Sequence, residues 1–338
     1  MNTKKVNNHF YFFKSSISFD NTFQDYKDFL LWFENKKKEE NFTVNEILFA
    51  NLNQWYFDDN KGSLVHESGK FFKIEGIRVE TNFGKINSWE QPIINQPEIG
   101  VLGIITKIFN GVLYFLMQAK MEPGNINILQ LSPTVQATKS NFTQVHKGKS
   151  TPYLEYFIDE KKPKVLIDQL QSEQGGRFLR KRNRNIIIII QEDIEILPDF
   201  RWLTLGELKN LLKIDNFVNM DSRSVISTIP FVDDESITNI NAILKSEIAK
   251  NKNINFDLIN SITNKNSFKT KKELISWYTS QKVNYELNVK KINLSNLKDW
   301  TISAESISYN DRHFNIIAVE VIAESREVPF WTQPILKD

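Results

Sequence analysis

The sequence predicts an α+β protein in which one module occurs twice, the second time incompletely. Short alternating runs indicate strands, and longer stretches with apolar residues at helical spacing indicate helices. A self-comparison aligns the last third of the chain with its first third, element by element. We therefore predict mixed sheets flanked by helices: a first module over 1–232, a linker with a candidate helix over 233–270, and an incomplete second module over 271–338.

The repeat is clearest in the tryptophans. Six of the seven pair off between the copies in the same order: Trp32 with Trp277, Trp55 with Trp300, and Trp89 with Trp331. The phrase Trp-x-Gln-Pro-Ile occurs at 89–93 and returns at 331–335. Chance is a poor explanation for this order, so the C-terminal third is the beginning of a second copy.

Both copies predict the same first elements. Apolar residues at helical spacing favour helices over 23–35 and 271–280. Alternating runs favour strands over 72–79 and 314–321. Each strand leads to a Trp-x-Gln-Pro segment, whose proline closes a strand or lies at a sheet edge.

Only the first copy continues beyond this point. Residues 100–106 and 111–120 predict a hairpin turned at Asn110-Gly111. Five isoleucines at 186–190 predict a strand buried on both faces. The remaining predicted elements are strands over 127–131 and 153–158 and a helix from Thr204 to Leu212.

The composition limits the classes of function. A net charge of +2 does not favour nucleic acid or an anionic membrane as a partner. The absence of cysteine excludes disulfides and thiolate zinc sites and suits a reducing cytoplasm. The four histidines lie far apart with no metal-ligand spacing, so no metal is predicted. No segment predicts a signal peptide or a membrane span.

Two polar segments are candidates for ligand binding. Strand alternation places Gln118, Lys120 and Glu122 on one face, either as a solvated surface or as part of a site. The polar segment 134–141, which follows, favours a site. Further on, Gly175-Gly176 allow close backbone approach, and Arg177 suits a diphosphate; a solvated strand start and a nucleic-acid patch are the alternatives.

Pattern alone leaves the roles of three further residues open. Trp55 and Trp300 are either core anchors or stacking platforms for a base or sugar ring. His146 is either a general base or a bystander in a Lys/Gly loop. No dinucleotide-binding, phosphate-loop or nucleophile-elbow motif is present.

Several long motifs together resemble one enzyme family. They are Trp-x-Gln-Pro-Ile, Gln118-Ala-Lys-x-Glu-Pro-Gly-Asn125, Leu131-Ser-Pro-Thr-Val-Gln-Ala-Thr138, Ser140-Asn-Phe142, Ser172-Glu-Gln-Gly175 and Lys181-Arg-Asn-Arg-Asn185. Over the whole chain the sequence resembles the NDP-hexose 2,3-dehydratases. The resemblance implies tandem Nudix-like modules without the Nudix metal helix Arg-Glu-x-x-Glu-Glu, which the sequence lacks.

The resemblance also implies an activity and partners. The substrate would be dTDP-4-keto-6-deoxyglucose, which loses water across C2 and C3 to give a 3,4-diketo-2,6-dideoxy sugar for deoxysugar biosynthesis. No metal or redox cofactor is implied. A homodimer is implied, together with an NADPH-dependent 3-ketoreductase that takes on the unstable product.

Carried onto matching positions, the resemblance implies a set of site residues. The substrate-binding set is Trp55, Lys120, Gln136, Thr138, Lys139, Ser140, Asn141, Phe142, Ser172, Gly175, Gly176, Arg177, Phe178 and Trp300. The candidates for the acid–base pair are Glu122, Lys120, His146 and Tyr153. Arg177 is the natural diphosphate partner among them.

The sequence departs from the family pattern at its end. Second-copy counterparts of the Lys/Glu strand, the Thr-x-Gln loop and the Gly-Gly-Arg segment are missing. One alternative is therefore a dTDP-sugar-binding protein without turnover; a divergent Nudix hydrolase and an RNA-binding module are further alternatives. Strands ending at Val321 and Ile335 should pair with the first module or another subunit, or be poorly ordered.

Overall fold

The computed structural model describes residues 8–39, 41–138, 150–158, 163–230, 267–310, 313–323 and 328–337. The predicted α+β class is confirmed. The first copy has α1 (Asn8–Ser16), α2 (Tyr26–Glu39), β1 (Phe42–Ile47), β2 (Trp55–Asp58), β3 (Ser63–His66), β4 (Lys73–Thr81), β5 (Ser88–Asn95), β6 (Gly100–Phe109), β7 (Val112–Met121), β8 (Leu129–Ser132), β9 (Val135–Ala137), α3 (Glu155–Ile158), β10 (Lys164–Ser172), β11 (Arg182–Ile189), β12 (Phe200–Thr204), α4 (Leu205–Leu211) and α5 (Met220–Ser227).

The second copy repeats only the opening of this order. Its elements are α6 (Lys271–Asn284), β13 (Leu287–Ile292), β14 (Thr301–Ile302), β15 (Ser306–Ser308), β16 (Asn315–Ala323) and β17 (Phe330–Lys337). A short 3₁₀ turn follows β1 at Phe49–Asn51 and follows β13 at Leu294–Asn296. The described part of the second copy therefore matches the first from α2 to β5.

A central sheet belongs to the first copy alone. Its strand order is β10-β11-β6-β7-β12, with β8 beside β7 and β9 beside β6. β6 and β7 form the predicted hairpin, where Asn110 and Gly111 take positive φ angles of 50° and 75°. Along β11, Ile186 and Ile188 enter one core and Ile187 enters the core on the opposite face. Burial of this strand on both faces is thus confirmed.

The two copies exchange their first strands. β1 of the first copy pairs antiparallel with β16 of the second, and β13 of the second pairs with β4 of the first. The registers are equivalent: Phe42 lies opposite Ala323, and its counterpart Leu287 lies opposite Thr81. The prediction that second-copy strands pair with the first module is confirmed for β16. β17 pairs with β16, and among the described residues no strand pairs with its outer edge.

Hydrogen bonds between the copies repeat this symmetry. Trp55 donates its indole N–H to the Thr332 carbonyl at 3.1 Å, and Trp300 donates to the Glu90 carbonyl at 2.9 Å. Both copies also contribute to one apolar core, formed by Phe49, Leu52, Trp55, Leu64, Ile74, Ile94, Leu294, Leu297, Ile307, Phe314, Ile316 and Ala318. The described strands of the second copy therefore share a core with the first.

The structure corrects one predicted element and adds several, among them two helices and strands such as β1, β10 and β12. The strand predicted over 153–158 is wrong, because α3 occupies most of it and Tyr153 has a positive φ of 59° that breaks an extended run. Helices α1 and α5 were not predicted. The candidate helix of the linker falls mainly within 231–266, outside the described residues, and the module boundaries stay a prediction. None of the described helices is long and apolar enough to cross a membrane.

Candidate functional site

Lys120 and Glu122 form an ion pair at the end of β7. Strand alternation places them on the same face, and Lys120 Nζ lies 3.4 Å from Glu122 Oε1. The Lys120 side chain is 8% exposed and the Glu122 side chain 22% exposed, so the pair is screened from water but reachable. The predicted shared face of these two residues is confirmed, and it is not a solvated surface.

A hydrogen-bond chain connects this pair to the start of α5. Gln136 on β9 donates its side-chain N–H to Glu122 Oε1 at 3.0 Å. Asn219 donates in turn to Gln136 Oε1 at 3.2 Å and to the Ser132 hydroxyl at 2.9 Å. Asn219 also caps α5 by accepting from the Ser222 backbone N–H at 2.8 Å. The network holds the helix N-terminus against β8, β9 and the ion pair.

Further charged groups surround the same place. Burial, together with the charges of Glu122 and Glu173, raises the pKa of the Asp221 carboxyl to about 7 against the opposing effect of Lys120 and Lys181. Burial also lowers the pKa of Lys181, whose ammonium donates to the Glu98 carbonyl at 2.5 Å. We call Lys120, Glu122, Glu173, Lys181 and Asp221 the charged cluster.

A wide cleft opens where the two copies meet. Its volume is about 1180 Å³. The side chains around it are aromatic, basic and acidic: Arg78, Glu80, Ile86, Ser88, Trp89, Glu90, Gln91, Arg177, Lys298, Asp299, Trp300, Tyr309, His313 and Phe314. A cleft of this size with convergent aromatic and cationic groups is suited to a polar ligand that carries a ring and an anionic group.

The loop after β10 runs from the charged cluster to the cleft. Its Glu173 belongs to the cluster, and the Arg177 guanidinium lies 4.0 Å from the ring centre of Phe314 in the cleft. Backbone hydrogen bonds between Ile94 and this loop fix it to β5: the Ile94 N–H donates to the Arg177 carbonyl at 2.9 Å. Because four residues span at most about 14 Å, the backbone of Glu173 in the cluster and that of Arg177 at the cleft lie no further apart than this.

The two repeat-related tryptophans occupy different surroundings. Trp55 is 7% exposed and packs in the shared core, 4.9 Å from the ring centre of Phe72. Trp300 is half-buried and lines the cleft, where it packs near Tyr309 and Phe314. Of the two, Trp300 lies at the cleft and Trp55 packs as a core residue, and the predicted ligand contacts of both stay predictions.

The other predicted site residues are spread over several places. Gln136 hydrogen-bonds to Glu122 of the charged cluster, and Thr138 directly follows β9. Ser172 is exposed at the end of β10, and Gly175 and Gly176 are exposed on the connecting loop. A Cβ at either glycine would meet nothing within 4 Å, so the space above this loop is open. Phe178 is half-buried and forms a bridge with Ile94. Lys139, Ser140, Asn141, Phe142 and His146 lie outside the described residues.

Tyr153 is not brought to either place. Its hydroxyl donates to the Glu195 carbonyl at 2.7 Å and accepts from the Leu197 N–H at 3.1 Å. Its ring packs in the core on one face of the central sheet, and the buried residues of α2 and α4 pack in the core on the other face. These contacts describe a structural anchor, although its predicted acid–base role stays a prediction.

Sequence reasoning missed Glu173, Lys181 and Asp221 as members of the site. Lys181 lies in a basic segment, 181–184, whose pattern does not distinguish one cation from another, and Asp221 lies on a helix that the sequence does not predict. The available local signal for that helix is Asn219, a residue type favoured at N-caps. Within the described residues, no three His, Asp or Glu side chains converge closely enough to hold a metal ion.

Comparisons with known proteins identify the family. A family model described as NDP-hexose 2,3-dehydratase matches residues 26–229 and 271–338. Three curated relatives are each named dTDP-4-dehydro-6-deoxy-alpha-D-glucopyranose 2,3-dehydratase. The protein from Saccharopolyspora spinosa is 44% identical over 96% of this chain, that from Amycolatopsis orientalis 40% over 92%, and that from Streptomyces violaceoruber 39% over 92%.

The matches cover less of the relatives than of this chain. They span 66%, 61% and 67% of the three relatives, so the chain covers about two thirds of their length. A solved structure of an ADP compounds hydrolase also matches, with 12% identity, a TM-score of 0.30, and coverage of 62% of this chain and 95% of that one. At that score the likeness carries no argument about the fold.

The fold and the site together define an α+β protein with an internal repeat, a partly buried charged cluster and a cleft suited to a polar ligand. The extent of the family match adds the specific assignment. The chain belongs to the NDP-hexose 2,3-dehydratase family.

Proposed function

We propose that this chain eliminates water across C2 and C3 of dTDP-4-keto-6-deoxyglucose, the sugar that the relatives' names specify. The observation that carries the proposal is the Lys120–Glu122 ion pair, which is largely shielded from water yet reachable and belongs to a cluster that the Glu173–Arg177 loop connects to the cleft. With this activity we also propose a homodimer, a cytoplasmic location and a partner 3-ketoreductase.

The chemistry of this substrate defines what the protein must supply. The C4 ketone acidifies the C3 proton, and the C2 hydroxyl is β to that carbonyl. Removal of the C3 proton gives an enolate on O4, and departure of the C2 hydroxyl with one proton gives water and an enol. The enol becomes the 3,4-diketo-2,6-dideoxy sugar. The elimination is redox-neutral and needs a base, an acid and a cation or donor for the enolate oxygen.

The charged cluster offers groups for these roles. Glu122 accepts from Gln136 and faces the Lys120 ammonium, and both contacts favour its ionised form, which a base requires. The Lys120 ammonium is largely withdrawn from water, where a positive charge stabilises a developing enolate more strongly. Glu122 is therefore the proposed base, and Lys120 the proposed partner of O4.

The cleft offers groups for the nucleotide. Arg177 carries a guanidinium whose planar fork matches diphosphate oxygens, and Trp300 presents a half-buried ring for the base. The loop from Glu173 to Arg177 then bridges the sugar and the nucleotide ends of the substrate. Binding energy at the remote nucleotide positions the reacting carbons.

A coupled assay tests this function. The purified chain is incubated with dTDP-4-keto-6-deoxyglucose, NADPH and a 3-ketoreductase specific for the 3,4-diketo product. We expect NADPH consumption that depends on both the chain and the substrate, because only the eliminated product feeds the reductase. Binding of dTDP without NADPH consumption would instead identify a binding protein, and the proposal would be wrong.

A further inference from the structure

Asp221 is an acidic group of the charged cluster that no step above uses. It lies in the first turn of α5, two residues after the cap Asn219. Main-chain bonds fix this turn to β8: the Leu131 N–H donates to the Phe217 carbonyl at 2.8 Å, and the Asn219 N–H donates to the Leu131 carbonyl at 3.0 Å. Asp221 therefore has a defined position beside the sheet.

The same network fixes Asp221 relative to Glu122. Asn219 donates to Gln136, and Gln136 donates to Glu122 Oε1. The relay thus connects Glu122, just after β7, to the N-cap of the helix whose first turn carries Asp221, and Asp221 lies close enough to Glu122 for their charges to interact. An elimination needs two such groups, one for each proton that moves.

The surroundings of Glu122 and Asp221 favour opposite protonation states of the two carboxyl groups. Glu122 has an ammonium 3.4 Å away and an amide donor at 3.0 Å, both of which stabilise negative charge. Asp221 is half-buried, and its partial removal from water together with the nearby charges of Glu122 and Glu173 disfavours its ionised form more than Lys120 and Lys181 favour it. Two carboxyl groups whose environments separate their protonation states are the usual arrangement of a base and an acid.

We propose that Asp221 is the general acid of the reaction, which protonates the C2 hydroxyl as the C2–O bond breaks. This inference rests on the proposed function. Glu122 takes the C3 proton, Asp221 gives its proton to the departing hydroxyl, and water leaves. The enol then exchanges its O3 proton for a proton at C2, and the proton on Glu122 returns to Asp221 through solvent, so that both groups are restored.

The wild-type protein provides one test through pH. Asp221 must be protonated, and its pKa of about 7 places the loss of the acid near neutrality. Burial is the largest cause of this value, and the charged groups that add to it or oppose it are Lys120 at the end of β7, Glu122 just after β7, Glu173 after β10 and Lys181 before β11. We expect turnover to fall as pH rises through about 7, and we expect this fall to be absent in Asp221→Asn. A wild-type rate that is flat between pH 6 and pH 8, values that bracket that pKa by about one unit, would overturn the inference.

A second test separates the two proton transfers. In D₂O, exchange at C3 reports the base step, and NADPH consumption with the reductase reports complete elimination. Asp221→Asn should lower elimination by about 10²–10⁴-fold while C3 exchange into recovered substrate continues. Glu122→Gln should lower both. Asp215→Asn, at an exposed position outside the cluster, is the matched control and should change neither.

The outcomes distinguish the inference from the function on which it rests. If wild type neither exchanges nor eliminates, the proposed function fails and Asp221 has no reaction to serve. If wild type is active but Asp221→Asn eliminates normally, or loses exchange and elimination equally, the general-acid role alone is wrong. Thermal unfolding of each variant, with Asp221→Glu as the conservative substitution that should restore part of the elimination, separates loss of the acid from loss of the fold.

Discussion

Helices α2 and α6 occupy equivalent places in the two copies, yet they meet different surroundings. In α2, Phe29 is fully buried and Phe33 stacks on Phe217 with ring centres 4.3 Å apart. Their counterparts in α6, Leu274 and Tyr278, are 52% and 56% exposed. Within the described residues, α6 buries none of its side chains.

The difference shows that local sequence can start a helix, whereas burial of the helix depends on the rest of the fold. α6 begins at a capping box between Thr270 and Glu273, so its own residues are sufficient to start it. Residues that pack on α2, such as Phe217, belong to the part of the first copy that has no second-copy counterpart in this sequence. An amphipathic pattern therefore predicts a helix but not the element that buries it.

The largest expected effect distinguishes these two helices. Phe29→Ala should lower the free energy of unfolding by about 3–5 kcal/mol, because it leaves a cavity in a packed core. Leu274→Ala, at the matching position of α6, should change it by less than about 0.5 kcal/mol. Chemical denaturation of the two variants measures both values. Equal losses would mean that α6 is covered in solution and that the contrast between the copies is wrong.

We expect a smaller change in the free energy of unfolding from the loss of ion pairs between the two copies. Glu75 is buried, accepts from Asn95 at 2.7 Å, and pairs with Lys73 at 2.5 Å and with Lys291 of the second copy at 3.0 Å. Another ion pair between the copies, Glu46 with Lys337, is exposed. Glu75→Gln should cost about 2–3 kcal/mol of unfolding free energy at pH 7, and Glu46→Gln less than about 0.5 kcal/mol.

The pH dependence of the Glu75 effect has a defined sign. Burial raises the pKa of Glu75, but hydrogen bonds from Lys73, Asn95 and Lys291 outweigh it and leave the pKa below its ordinary value of 4.5. The stabilisation is therefore present above that value and is lost as pH falls through the folded-state pKa. The gap between wild type and Glu75→Gln should shrink in acid; a gap that grows would contradict this account.

The repeat, the β6–β7 hairpin and the buried isoleucine strand could be predicted because each has a local signature. The exchange of β1 and β13 could not, since equivalent strands of equal pattern fit either sheet. Lys120 and Glu122 could be placed on one face by strand alternation. Asp221 could not be assigned to them, because its position depends on how α5 docks on β8, a contact between segments about ninety residues apart.

The central claim is that the cleft between the copies holds the nucleotide while the charged cluster performs the chemistry. Calorimetric titration of dTDP into Arg177→Ala and Glu122→Gln tests it directly, with exposed Arg182→Ala as the control. We expect Arg177→Ala to weaken binding about tenfold, equivalent to roughly 1.4 kcal/mol, and the other two variants to bind like wild type. Unchanged affinity in Arg177→Ala, or an equal loss in Glu122→Gln, would contradict the division between binding and chemistry.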